Sequence, residues 1–247
     1  MADKIISLPG VELKLMFHVK HLAADAKAAV SCSAPTLLVV AGGRAPAISW
    51  LRTVSAQKVV YAADRGAACC LAAGVVPREL FGDCDSTTPE VYAKAQCAGT
   101  LVHSFNPAKD DTDLQLLLQN LPAGDIIASG IWGGRFDHLY SNVYTLLGVK
   151  QQRACQVLLS DDKELMLLLT DKEAVELELS SQIEAISVLP LSAETNVDIT
   201  GVRWPLAQAE LRQLYPYAIS NELAGDNSKI SCCCHKGALG LYFKFSD

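Results

Sequence analysis

Between residues 37 and 83 short apolar runs alternate with a small-residue segment, and each apolar run stops on glycine or aspartate. The first, "LLVVAGG" at 37–43, is rich in leucine and β-branched residues and ends in two glycines. The second, "KVVYAAD" at 58–64, ends in Asp64. "GAACCLAAG" at 66–74 reads as a helix closed by Gly74, and "VVPRELFGD" supplies a third strand ending at Asp83. Strands alternating with helices predict a parallel sheet whose ligands bind beyond the strand C-termini, where the glycines and acids fall.

The pattern continues to about residue 150. In "DDTDLQLLLQNLP" Leu114, Leu117, Leu118 and Leu121 recur at helical spacing, with an acidic start at Asp110–Asp113 and a stop at Pro122. "DIIASG" at 125–130 reads as a strand, and "IWGGRFDHLYSNVYTLLG" as a glycine loop entering a helix that stops at Gly148. Beyond residue 150 the texture becomes one of short strands and polar turns. There only "PLAQAELRQL" looks helical, and "KISCCCHKGALGLYFKF" reads as a hairpin around His235, Lys236 and Gly237. The expected division is an N-terminal extension at 1–34 without an assigned role, including a short helix over 17–30. An α/β domain at 35–150 and a smaller all-β domain at 151–247 follow.

Composition sets limits on function. With 247 residues, 50% apolar and 19% charged, the chain can bury the core of one large or two small domains. A net charge of −6 argues against a general nucleic-acid binder, whose affinity rests on many cations neutralising phosphates. No apolar run is long enough to span a bilayer and no targeting segment is visible, so a soluble, cytoplasmic protein is expected. The nine cysteines are odd in number, several are adjacent, and none shows C-x-x-C spacing, which fits reduced thiols. "CCCH" at 232–235 invites zinc, yet successive strand residues face opposite ways and do not converge on one tetrahedral ion.

Acids gather at the predicted strand ends: Asp64, the pair Asp83 and Asp85, and Asp110, Asp111 and Asp113. If the strand continues, Asp83 and Asp85 share one side and Cys84 the other. Clustered carboxylates without matching cysteine or histidine spacing suit a hard cation such as Mg²⁺; the same residues also suit turns and helix N-caps. "GGRFDH" at 133–138 offers glycines for close approach, an arginine for phosphate oxygens and an Asp-His pair at a helix start. Neither a Walker A sequence nor a G-x-G-x-x-G after a strand is present.

"AADRGA", "PRELFGDCDS", "KDDTDLQ", "GGRFDHLYSN", "SVLPLS", "GVRWPL" and "SNEL" occur in an order that resembles the thiamine pyrophosphokinases, over about residues 37–245. The resemblance implies a Rossmann-like catalytic domain followed by a β-sandwich. It also implies transfer of the pyrophosphoryl group of ATP to the hydroxyethyl arm of thiamine, giving thiamine diphosphate and AMP, in a homodimer with shared sites. Carried over by position, Asp83, Asp85 and Asp113 become Mg²⁺ ligands, and Asp110 and Asp111 support them or orient the thiamine hydroxyl. Asp64, Arg135, Asp137, His138 and Asn142 become the ATP-binding set; Trp204, Ser220 and Asn221 become the thiamine contacts. Trp204 also suits an ordinary core position, although its ring offers cation–π attraction to the thiazolium. Arg65 departs from the family's usual second glycine, and Cys84 stands where an aromatic is usual.

Overall fold

The structure, a computed structural model, describes residues 4–17, 35–82, 88–106, 110–153 and 155–246. The chain forms two compact units, Ser33–Asp162 and Met1–Cys32 with Lys163–Asp247. Two strands come first, β1 (Lys4–Leu8) and β2 (Val11–Phe17). The α/β unit then runs β3 (Thr36–Val40), α1 (Ile48–Ser55), β4 (Val59–Ala63), α2 (Gly66–Ala72), β5 (Glu79–Gly82) and α3 (Pro89–Cys97). It continues with β6 (Leu101–Ser104), α4 (Asp113–Asn120), β7 (Asp125–Ser129), α5 (Phe136–Gln152) and β8 (Val157–Ser160). The remaining strands are β9 (Glu164–Thr170), β10 (Glu173–Leu179), β11 (Ile183–Pro190), β12 (Glu194–Thr200), β13 (Leu206–Arg212), β14 (Lys229–Lys236) and β15 (Ala238–Phe245).

Strands β8, β7, β3, β4, β5 and β6 lie side by side in that order and are parallel throughout. The chain starts at the centre, steps outward through β4, β5 and β6, and then returns to the other side of β3 for β7 and β8. Leu37–Val40 and every residue of β7 are buried, as expected of parallel strands covered on both faces. Each such leucine, isoleucine or valine contributes about 1.5–3 kcal/mol of apolar transfer, set against the entropy of ordering the chain. The reversal between β3 and β7 leaves a crevice at their C-terminal ends, the switch point of an open α/β sheet.

In the other unit, β1, β2, β10, β14, β12 and β13 form an antiparallel sheet, and β11, β15 and β9 a second antiparallel array. Their inward residues, among them Leu177, Cys232, Cys234, Leu167, Leu241 and Phe243, are buried and make the core of a β-sandwich. Residues 4–17, for which the sequence suggested no role, extend this sheet through the pairing of β2 with β10. Apart from Phe17, which ends β2, the helix expected over 17–30 lies outside the described residues.

Three local expectations are overturned. "PLAQAELRQL" is not a helix: β13 pairs antiparallel with β12, so cross-strand pairing overrides the helical preference of its alanines and glutamates. β14 and β15 do not form a hairpin, because β14 pairs with β10 and β12 while β15 pairs with β9 and β11; the chain changes sheet at Gly237, where φ is +88°. Nor does Gly148 end α5, which runs on to Gln152. The added turn is tied down from beyond the helix: buried Lys150 donates through Nζ to Cys155 O at 3.3 Å and to Gln156 Oε1 at 3.2 Å.

Arg153, at the end of α5, also closes α4. Its guanidinium donates to Leu118 O at 2.9 Å, Leu121 O at 3.2 Å and Gln119 O at 3.3 Å, satisfying carbonyls that the end of a helix leaves open. Arg153→Ala is expected to lower stability by about 1.5 kcal/mol, read as a lower urea midpoint with unchanged slope. An unchanged midpoint would show that water replaces the arginine at no cost.

Candidate functional site

The crevice at the switch point opens into a cavity of about 480 Å³. Two loops build its floor. After β3, Ala41 N donates to Ser129 O at 2.8 Å, Gly43 N to Gly130 O at 2.7 Å and Arg44 N to Trp132 O at 2.6 Å. The backbones come so close that a Cβ on Gly43 would lie 2.5 Å from Gly130 O, and one on Gly130, where φ is +67°, would lie 2.2 Å from Ala41 O. Only glycine fits at either place.

The join is locked by charge. Arg44 Nε and Nη2 both donate to Asp161 Oδ2, at 2.9 and 2.6 Å, and Asp161 is fully buried just beyond β8. Ala47 N donates to Asp162 Oδ1 at 2.6 Å. The loop after β3 is thus fastened to the ends of both β7 and β8.

Asp64, Asp111, Asp113, Arg135, His138 and Asn142 all line the cavity. Asp64 sits in the turn after β4 with φ +50°, its N–H donating to Phe81 O at 2.9 Å. Helix α4 explains the placing of the acidic cluster. Thr112, not an aspartate, is its N-cap: Gln115 N donates to Thr112 Oγ1 at 3.2 Å and Thr112 N to Gln115 Oε1 at 2.8 Å, a capping box. Asp113 becomes the first helical residue and is buried, Asp111 stands exposed before the cap, and Asp110 is exposed outside the cavity lining. His138 and Asn142 lie one turn apart on α5 and so face the same side.

Asp137 is not among the lining residues. It is exposed and paired with Arg135, whose Nε lies 3.1 Å from Oδ1, and it accepts from His138 N at 3.0 Å. The hydrogen bond from Arg135 holds its carboxyl below the ordinary range. Asp137 therefore orients the arginine at the cavity rim. Asp83 and Asp85 lie outside the described residues, and among those described no group of three or more His, Cys, Asp or Glu side chains is gathered as for a metal ion.

Sequence reasoning placed no ligand role on Gly42, Gly43 or Gly130, which also line the cavity; their signal was the double glycine and the strand-end glycine. Arg65 lines it too, donating through Nη2 to Gly42 O at 2.8 Å from the start of α2.

The β-sandwich unit carries a separate apolar pocket of about 180 Å³, whose lining includes Ile186, Val188, Trp204, Tyr217, Ile219 and Asn221. Trp204 is 52% exposed, not a core residue, and Arg203 Cζ lies 4.7 Å from the centre of its ring. Asn221 acts on Trp204 through the backbone: Oδ1 accepts from Trp204 N at 3.1 Å and Nδ2 donates to Trp204 O at 2.8 Å. Ser220 is held at φ +56°, its N–H donating to Ser187 Oγ at 3.1 Å, and is not part of the pocket lining.

A parallel sheet with a cavity at its switch point, joined in sequence to a β-sandwich with its own apolar pocket, defines a two-unit α/β-plus-β ligand-binding architecture. Residues 50–159 match the family model described as "Thiamin pyrophosphokinase, catalytic domain", and residues 173–237 match "Thiamin pyrophosphokinase, vitamin B1 binding domain". Thiamine pyrophosphokinase of Bacillus subtilis (strain 168) is 31% identical over 196 residues, covering 76% of this chain and 89% of that protein. Thiamine pyrophosphokinase 2 of Oryza sativa subsp. japonica is 29% identical over 148 residues, 56% of this chain and 55% of its own length. The crystal structure of the Bacillus subtilis protein superposes with a TM-score of 0.72 at 28% identity, covering 86% of this chain and all (100%) of that one. Thiamin pyrophosphokinase from Candida albicans, at 14% identity, shares the fold with a TM-score of 0.73 over 85% of this chain and 90% of its own. The chain belongs to the thiamine pyrophosphokinase family, a family of enzymes, and its α/β and sandwich architecture is the one expected from the sequence.

Breaking the lock behind the cavity has a large expected cost. Arg44→Ala leaves Asp161 buried without its guanidinium and should destabilise the protein by about 3 kcal/mol, measured by urea unfolding. A loss under about 1 kcal/mol, the worth of a surface pair, would show that the ion pair does not hold the loops.

Proposed function

We propose that this chain transfers the β,γ-pyrophosphoryl group of ATP to the hydroxyl of thiamine, releasing AMP. The observation that carries the reading is the single cavity at the switch point, where Asp64, Asp111 and Asp113 face Arg65, Arg135 and the glycine loops. Arginines and close backbone suit polyphosphate oxygens, and hard carboxylates suit the divalent ion that accompanies them.

In the transfer, the thiamine oxygen bonds to the β-phosphorus, the bond from that phosphorus to the α,β-bridging oxygen breaks, and AMP leaves with the bridge. Asp111, exposed at the cavity, orients the thiamine hydroxyl and takes its proton. Arg65 and Arg135 meet the negative charge that spreads over the phosphoryl oxygens. His138 and Asn142 bind the nucleotide from α5, with Asp64 across the cavity. Asp113, with Asp83 and Asp85, would hold Mg²⁺, which supplies charge neutralisation to the phosphates; the all-oxygen donor set fits that ion.

Thiamine is taken in the sandwich pocket, where Trp204 offers a π face and Asn221 and the Ser220 turn set its position. A homodimer with shared sites is supported by exposed apolar surface in each unit: Phe136 and Tyr140 on α5, and Trp204, Leu214, Tyr215, Tyr217 and Ile219 in the sandwich unit. No helix among the described residues is long and apolar enough to cross a membrane. A cytoplasmic location accords with the thiol state of the seven described cysteines, none of them in a disulfide.

Incubation with thiamine, ATP and Mg²⁺, followed by chromatography, should yield AMP and thiamine diphosphate in equal amounts. ADP with thiamine monophosphate would contradict the pyrophosphoryl transfer, and binding of both substrates without turnover would mark a sensor instead.

A further inference from the structure

The "CCCH" run at 232–235 lies in neither cavity described so far. Its strand alternates: Cys232 and Cys234 are buried, whereas Cys233 and His235 share the outer face of the sheet and are half-buried. Register sets Asp198 of β12 opposite Cys233. The three side chains meet in sequence, with Cys233 Sγ 3.6 Å from His235 Nδ1 and His235 Nε2 2.7 Å from Asp198 Oδ2. A carboxylate only accepts, so the 2.7 Å bond is donated by Nε2–H, and in that tautomer the lone pair of Nδ1 faces the thiol; Gln208 Nε2 also stands 2.9 Å from His235 Nε2.

Asp198 is itself fixed at the bulge between β12 and β13, where Gln208 N donates to its Oδ1 at 2.5 Å. Desolvation opposes its ionisation, but the hydrogen bonds from Gln208 and His235 outweigh this and hold the carboxyl below its ordinary value. Burial, with the Asp198 carboxylate nearby, pushes the Cys233 thiol up, so the site offers a thiol beside a base rather than a standing thiolate. Nucleophile, base and orienting carboxylate are the parts of an activated thiol.

The same unit has an open groove of about 580 Å³ whose lining includes Ser231 and Thr200. Ser231 lies two residues before Cys233 on β14, and Thr200 two after Asp198 on β12; each pair is in register, so the groove leads to the thiol along one face. Glu12, Glu176 and Glu178 line it with Lys14 and Lys229, the last 3.7 Å from Glu178, a mixed-charge wall with an acidic excess that suits the ammonium groups of a small zwitterion.

We propose that Cys233 is a thiol-exchange site for small zwitterionic disulfides, with His235 as its base and Asp198 as the orienting group. His235 Nδ1 takes the thiol proton as Sγ attacks one sulfur of the disulfide. The sulfur–sulfur bond breaks, a mixed disulfide forms on Cys233, and the leaving thiolate takes the proton from the imidazolium. The disulfide is the oxidant, and no further electron carrier enters.

The test treats the full chain with glutathione disulfide at neutral pH and follows each cysteine by peptide mass spectrometry. Cys97 is exposed and serves as the internal standard for exposure alone. Cys233 is expected to form the mixed disulfide about tenfold faster than Cys97, and His235→Ala to remove that advantage in a protein with an unchanged circular dichroism spectrum. Asp198→Asn gives the same reading if His235→Ala does not fold. Modification of Cys97 as fast as Cys233, or an unchanged Cys233 rate in the folded variants, overturns the proposal.

Discussion

The α/β unit depends on the contact between two loops that are remote in sequence and adjacent in space. The loop after β3 lays its backbone on the end of β7 and the loop after it through three hydrogen bonds, and Gly43 and Gly130 are the residues that let the carbonyls come so near. Hydrogen bonds alone contribute about 1 kcal/mol each in net terms. The added fixity comes from Arg44 on fully buried Asp161, a pair whose rupture takes the guanidinium from a buried carboxylate. These bonds hold the cavity floor, and its remaining walls are set by the capping box of α4 and the start of α5.

In the sandwich unit an equivalent role falls to Asn221. Its amide satisfies both backbone groups of Trp204 while its own backbone bridges to Ile186, with Asn221 N donating to Ile186 O at 2.7 Å. An indole that is half exposed would otherwise sample many positions; here its backbone is clamped and the Arg203 guanidinium lies over its ring. Asn221 thus lines the apolar pocket and also acts as a strut in the fold.

Much of the α/β unit was legible because its central strands are continuous apolar runs that stop on glycine or aspartate. α4 was legible from its leucines. β6 was not, since none of Leu101–Ser104 is buried and no pattern marks it. α1 and α3 were not legible either; α3 buries only Tyr92 and Ala95. β13 misled because alanine, glutamate and leucine favour a helix in isolation, while its actual state is fixed by pairing with β12. The supposed hairpin at Gly237 failed for a related reason: which sheet a strand joins depends on distant partners, not on its neighbour in sequence.

The site was legible in part. Asp64, Asp111, Asp113, Arg135, His138 and Asn142 were named from motifs, and the fold brings them to one cavity. Gly42, Gly43 and Gly130 take on meaning only when topology puts β3 beside β7. Arg65, in sequence a departure from the family pattern, becomes intelligible through its bond to Gly42 O across the same wall.

The central claim is that ATP occupies the switch-point cavity. Asn142 lines that cavity from α5 and is not buried in the core, so Asn142→Trp fills the space while sparing the fold. Calorimetric titration with an α,β-methylene analogue of ATP should show affinity falling by about tenfold or more in the variant, a cost of about 1.4 kcal/mol. Unchanged affinity in a folded Asn142→Trp protein would place the nucleotide elsewhere and contradict the account.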